Sequence, residues 1–120
     1  MPQKQDLISF QASTMTAPLK QITEDYGDYL ELLSACEKLH LLSVLAFWQA
    51  LDTELSEESV DPDSIGCEAY GLANATEDYA AELTSNTLGA LKSLEGLTDQ
   101  ACLDLMVAIS CQLRNGVFQQ

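Results

Sequence analysis

From Leu39 to Leu51 the only polar residues are His40, Ser43 and Gln49. A stretch of this length without Gly or Pro predicts a helix that is apolar nearly all round. Such a helix cannot lie on the surface of a soluble domain, because it needs cover on more than one side. A second stretch of the same kind runs from Ala101 to Cys111, with only Asp104 and Ser110 as polar breaks. The economical arrangement pairs the two as the buried centre of a bundle. The sharper alternative has one of them also form a surface for a partner or for a second copy of the chain. No strand-like alternation, internal repeat or low-complexity tract competes with these signals. The expected class is therefore all-α: a small helical bundle of about four main helices, with a short extra helix or loop in the middle.

The remaining elements follow from capping and periodicity. Residues 1–15 are rich in Gln, Ser and Thr and are expected to form a mobile N-terminal arm, any docking of which would rest on Leu7, Ile8 and Phe10. Thr16 can cap a helix that carries Pro18 in its first turn, where a missing N–H costs nothing. Leu19, Ile22, Tyr26, Tyr29, Leu30 and Leu33 then recur at helical spacing. Where this helix ends is open: Gly27 with Asp28 and Glu31 offers one break, Ser34 with Glu37 another, and the apolar phase runs across both. The central helix should end near Leu55, with Ser56–Ser59 and Asp61-Pro62-Asp63 marking a loop. Residues 56–75 hold at most a short helix around Ser64–Tyr70. Thr76 is expected to cap an amphipathic helix to about Leu94, closed by Gly96. Thr98 and Asp99 start the last helix, which reaches Arg114 with Gly116 beyond it. The domain is expected to span 16–116, leaving 117–120 as a C-terminal tail.

Charge excludes several functions. The chain has 19 Asp+Glu against 5 Lys+Arg, a formal net charge of −14. Lys4, Lys20, Lys38, Lys92 and Arg114 are scattered, so the clustered cations that bind a phosphate backbone or an anionic membrane are missing, and neither nucleic acid nor membrane is expected as a direct ligand. Hydrophobic residues still make up 47% of the 120 residues, enough for one folded domain. The N-terminus shows no signal-peptide core and no apolar run reaches the ~20 residues of a membrane helix, so a cytoplasmic protein is expected. The thiols of Cys36, Cys67, Cys102 and Cys111 are accordingly expected to be reduced.

No chemical motif assembles fully. A Cys-His or Ser-His mechanism within the chain would have to use His40, the single histidine. Cys36 and His40 stand one helical turn apart, compatible with a metal or thiol site, but no Cys-x-x-Cys spacing supplies further ligands. Glu37-x-x-His40 is half of a di-iron carboxylate motif whose second half is missing. Asp61-Pro62-Asp63-Ser64-Ile65-Gly66 opens like a calcium loop, then places Ile65 and Leu72 where oxygen ligands belong. No phosphate loop, dinucleotide fingerprint or serine elbow is present. No cofactor and no catalytic residue is assigned.

Two surfaces remain. Between Lys38 and Lys92 there is no Lys or Arg, while Asp52, Glu54, Glu57, Glu58, Asp61, Asp63, Glu68, Glu77, Asp78 and Glu82 all fall there. Such a stretch keeps a protein soluble, and it can also steer a basic partner or imitate nucleic-acid phosphates. The apolar contacts would be Phe47, Trp48, Leu51 and Met106. The expected function is a small acidic protein-binding module, acting as adaptor, regulator or chaperone on another protein or on a second copy of itself. The alternatives are an acidic inhibitor or nucleic-acid mimic that binds a basic protein, and a metal or thiol site at Cys36 and His40.

Overall fold

A computed structural model describes residues 4–12, 14–58, 72–79 and 82–118, with side chains described only to residue 53 in the long central helix. A 3-10 turn at Lys4–Asp6 is followed by α1 (Ile8–Gln11), α2 (Ala17–Tyr26), α3 (Ala35–Glu58), α4 (Leu72–Asp78), α5 (Ser85–Ser93) and α6 (Asp99–Arg114). The fold is all-α, a small bundle with no strand among the described residues.

The chain breaks at both of the places its sequence offers between α2 and α3. Gly27 adopts φ +92°, a conformation that side-chain-bearing residues rarely take, and its N–H closes α2 on the Thr23 carbonyl at 2.9 Å. At the other end, Ser34 Oγ accepts from the Glu37 N–H at 3.1 Å while Glu37 Oε1 accepts from the Ser34 N–H at 3.0 Å. This reciprocal pair satisfies two N–H groups that α3 would otherwise leave open. Between the breaks, Leu30 sits at φ +50°, an unfavourable backbone state for leucine, and its side chain is fully buried together with that of Leu33. The apolar phase across Gly27 thus arises from core leucines in a turn rather than from a continuous helix.

α3 is the central element. Leu41, Val44, Leu45 and Trp48 point into the core. One flank, with His40 and Phe47, packs on Tyr79 after α4, with ring centroids 6.1 and 6.4 Å apart in edge-to-face geometry. The other flank lies along α6. Gln49 Nε2 donates to Asp99 Oδ1 at 3.3 Å, and the Lys38 ammonium donates to the Val117 carbonyl, so the two helices run antiparallel. α6 buries Ala101, Cys102, Leu105, Ala108, Ile109 and Gln112, and has the ends expected of it: Thr98 Oγ1 accepts from the Ala101 N–H at 3.2 Å, and Gly116 follows at φ +73°.

Besides α3, which runs on to Glu58 rather than ending near Leu55, two expectations need correction. The single helix from Thr76 to Leu94 is in fact α4 and α5, separated by residues 79–84. Thr76 lies inside α4, its hydroxyl turned back to the Leu72 carbonyl. The capping threonine is Thr84, whose Oγ1 accepts from the Thr87 N–H at 3.2 Å and donates to Glu37 Oε2 at 2.6 Å. A threonine that can cap one helix and tie it to another competes with continuing a helix through the same residues.

The second correction concerns the N-terminal arm. Residues 4–12 pack on the bundle: Ile8 is 1% exposed and its N–H donates to the Asp28 carbonyl at 3.1 Å. Asp6 is buried, its carboxylate accepting from Asn115 Nδ2 and its carbonyl from Gln112 Nε2, each at 2.7 Å. Of the three apolar residues on which docking would rest, Ile8 enters the core and Phe10 stays outside. The supposed tail is likewise engaged at Val117, whose N–H donates to the Gln112 carbonyl at 2.8 Å. The short helix anticipated around Ser64–Tyr70 lies outside the described residues.

Because Ile8 is a core residue, Ile8→Ala should destabilise the protein by about 2–5 kcal/mol. Urea unfolding of the two proteins reads this directly, and an unchanged midpoint would mean that the segment does not dock.

Candidate interaction surface

The outward positions of α3 are Cys36, Leu39, Ser43, Ala46, Ala50 and Thr53, all exposed. They follow one another at three- and four-residue steps, so they form a single stripe along the helix. None is charged. Leu42 and Gln49, half-buried, lie on the side of this stripe that meets α6. Across the seam, α6 presents Met106 and Leu113, half-buried, and then Asp99, Leu103, Val107, Ser110 and Arg114, exposed. Leu39 is 52% exposed, and Leu103 and Val107 are each 48% exposed. The two apolar helices therefore share one outer face, with Asp99 and Arg114 at the ends of α6 and Asp104, half-buried, at the edge of its stripe.

Three groups of contacts hold this face in shape. The first is Lys38, which has no exposed surface although it is a lysine. Its ammonium donates to the Tyr29 carbonyl at 2.9 Å and to that of Val117, joining the turn before α3 to the residues after α6. Burial pulls its pKa down to about 8, against the attraction of Glu31 and Asp6. The second is the Cys102 thiol at the α3–α6 seam, 4.0 Å from the Met106 sulfur. Burial pushes it up to about 12, opposed by a hydrogen bond with Gln49 and assisted by the charge of Asp99. It is an inert packed thiol. The third is Glu37. Burial acts to raise its carboxyl, but hydrogen bonds from Thr84, from Ser34 and from Asn86 outweigh it and hold the group below its ordinary value.

The residues proposed as contacts from sequence do not gather in one place. Trp48 is 7% exposed and belongs to the core, so its burial removes it from the contact set. Phe47 is half-buried against Tyr79 on the opposite flank of α3, and Leu51 is half-buried on that flank too. Only Met106 lies at the α3–α6 seam. The exposure of Leu39, Leu103 and Val107 is not marked in the sequence, because a nearly all-apolar helix has no polar face to show which side meets solvent. Of the two aromatics, Trp48 is core material, while Phe47 keeps part of its surface.

Asp52 is half-buried, and Glu77, Asp78 and Glu82 are exposed. The backbone at Glu54, Glu57 and Glu58 continues α3, but their side chains, like Asp61, Asp63 and Glu68 altogether, lie outside the described residues. The calcium-like loop and Cys67 fall there as well. Cys36 is exposed, and His40 is half-buried with Nδ1 3.5 Å from the Tyr79 hydroxyl. Glu37, the carboxylate of the half-motif, is committed to Ser34 and Thr84. Among the described residues no three His, Cys, Asp or Glu side chains converge as a metal-binding group, and no helix is long and apolar enough to cross a membrane. A depression of about 200 Å³ between α4 and α5 is lined by Leu88, Leu91, Thr76, Glu77, Lys92 and Glu95. It holds opposite charges and no Cys or His. No protein-family description, curated protein or solved structure matches this chain.

Lys38 makes stability depend on pH with a defined sign. Its folded pKa, about 8, lies below the ordinary 10.5, so between these values the unfolded chain binds more protons and stability rises with pH. Cys102 acts oppositely: its folded value, about 12, is above the ordinary 9.0, so its contribution is full below pH 9 and is lost above it. The window that isolates Lys38 is therefore pH 8 to 9. Unfolding free energy should rise there by about 1 kcal/mol, and the rise should be absent in Lys38→Met. Urea titrations at both pH values check this, and equal slopes in the two proteins would overturn it.

Proposed function

We propose that this protein is a small acidic binding module that works in the cytoplasm as an adaptor, regulator or chaperone, contacting another protein through the outer face of α3 and α6. One observation carries the reading. In a chain of net charge −14, this face bears Leu39, Leu103 and Val107 about half exposed, and between the ends of α6 the one charge among the described residues is Asp104, half-buried at the edge of the stripe. Single exposed leucines are ordinary on a protein surface, but a continuous stripe shared by two adjacent helices is the form that a protein contact takes. Its centre is apolar and its ends are polar, matching the core-and-rim pattern of interfaces. The packed helices beneath it, fixed by Lys38 and by the α3 capping pair, present the face without needing to fold on binding, which limits the entropy lost on association.

The alternative acidic reading places the contact on the stretch from Asp52 to Glu82, and salt separates the two. Affinity capture from native cell extract should retain the partner of the apolar face at 1 M salt, where the Debye length is about 3 Å. Val107→Glu should weaken that capture by about thirtyfold or more, as expected for loss of a contact near an interface centre, while Glu77→Gln should leave it unchanged. Capture lost at high salt and indifferent to Val107→Glu would overturn the reading in favour of the acidic one.

A further inference from the structure

The charges that close the outer face of α6 carry a more specific message. Asp99, exposed at the N-terminal end, and Arg114, exposed at the C-terminal end, lie on one stripe with Leu103, Met106, Val107 and Ser110 between them. We propose that this stripe binds a second copy of the same chain, with α6 of each copy antiparallel to α6 of the other about a two-fold axis between Met106 and Val107. The proposal rests on the reading of the α3–α6 face as a contact surface.

Any stripe on a helix can be reversed about its midpoint, so the spacing alone argues nothing. The chemistry of what then meets does. Reversal sets Asp99 of one copy against Arg114 of the other, and symmetry makes this happen twice. It sets Leu103 against Ser110, a large side chain over a small one, and brings Met106 to Val107 at the axis. A parallel pairing would instead stack Asp99 on Asp99 and Arg114 on Arg114. Arg114 makes no ion pair among the described residues of its own chain, whereas Asp99 is held at one oxygen by Gln49. The carboxylate is thereby positioned, and a guanidinium can still dock on it.

Charge also argues for this occupant over another surface for self-association. Two copies of net charge −14 repel wherever carboxylates face each other, so they can meet only on a face free of them. Among the described residues the outward stripe of α3 carries no carboxylate, and α6 carries Asp99 on the stripe and Asp104, half-buried, at its edge; Asp99 is the one that finds a base. α6 has 16 residues and is therefore about 24 Å long, too short by itself to bury the roughly 1,200 Å² of a stable interface. The neighbouring stripe of α3, with Leu39 and the small side chains of Ser43 and Ala46, flanks it and lets the second copy approach closely.

The test is sedimentation of the full chain over a range of concentrations. The unmodified protein should show a monomer–dimer equilibrium. Arg114→Asp alone and Asp99→Arg alone should each raise the dissociation constant about tenfold, because each disrupts both symmetric pairs. The double variant, with the charges exchanged, should return to within about threefold of the original. Both changes oppose the α6 dipole, so any loss of helix stability would be greatest in the double variant, and recovery there cannot come from folding. Val107→Glu puts a carboxylate beside the axis and should leave a monomer whose far-ultraviolet circular dichroism is unchanged.

An unmodified protein that stays monomeric at every concentration overturns self-pairing. So does a dimer indifferent to Arg114→Asp, or a double variant that fails to recover. If the chain is monomeric while Val107→Glu still abolishes capture from extract, the face serves a different protein and only the self-pairing is lost. If Val107→Glu changes neither the dimer nor the capture, the contact face itself is misassigned.

Discussion

An ammonium group buried at the start of α3 joins the three segments on which the rest of the arrangement depends. Lys38 reaches the Tyr29 carbonyl in the turn that follows α2 and the Val117 carbonyl beyond α6. A charge without exposed surface is costly unless it is hydrogen-bonded and faced by opposite charge. Here two carbonyls accept from it and Glu31 and Asp6 lie close enough to favour its charged form. Asp6 in turn binds Asn115, and its carbonyl binds Gln112, so the N-terminal turn closes over the same end of the bundle. Both termini and the turn before α3 are thus fixed around one cation. Its pH-dependent cost is the consequence of drawing these segments into a region that water does not reach.

How much of this could be read beforehand depended on the kind of interaction. Apolar periodicity and short-range capping were legible: α6 is capped by Thr98 and ends at Arg114 as its residues indicate, and Ser34 with Glu37 starts α3. The all-α class followed from the same signals. Docking that depends on polar contacts between distant positions was not legible. The N-terminal segment offers one buried isoleucine and a set of hydrogen bonds to Asp28, Gln112 and Asn115, none of which leaves a pattern in sequence. The break between α4 and α5 was hidden for a related reason. Thr76 and Thr84 are chemically equal candidates for a cap, and the choice falls on Thr84 because Glu37, far away in sequence, accepts its hydroxyl.

The candidate surface shows the same division from another side. Periodicity locates a buried stripe only when a polar stripe opposes it, and α3 from Leu39 to Leu51 lacks one. The choice between Trp48 and Leu39 as the outward residue is made by neighbours. α4 and α6 flank α3, and Trp48 falls on the covered side. Size would have been a better guide than aromatic character, since the exposed stripe is built from Ser43, Ala46, Ala50 and Thr53 around Leu39, small groups that bury little when turned inward.

Charge and apolar surface therefore do different work in this chain. Carboxylates are abundant from Asp52 to Glu82 and absent from the outward stripe of α3 among its described residues. Spread evenly, the same net charge would oppose every contact with an acidic neighbour, a second copy included. Concentrated from the last turns of α3 onward, it leaves the described outward stripe of α3 from Cys36 to Thr53 without an acid. On the proposed reading the acidity is a filter on orientation rather than a binding force, restricting the geometry in which an apolar contact can form.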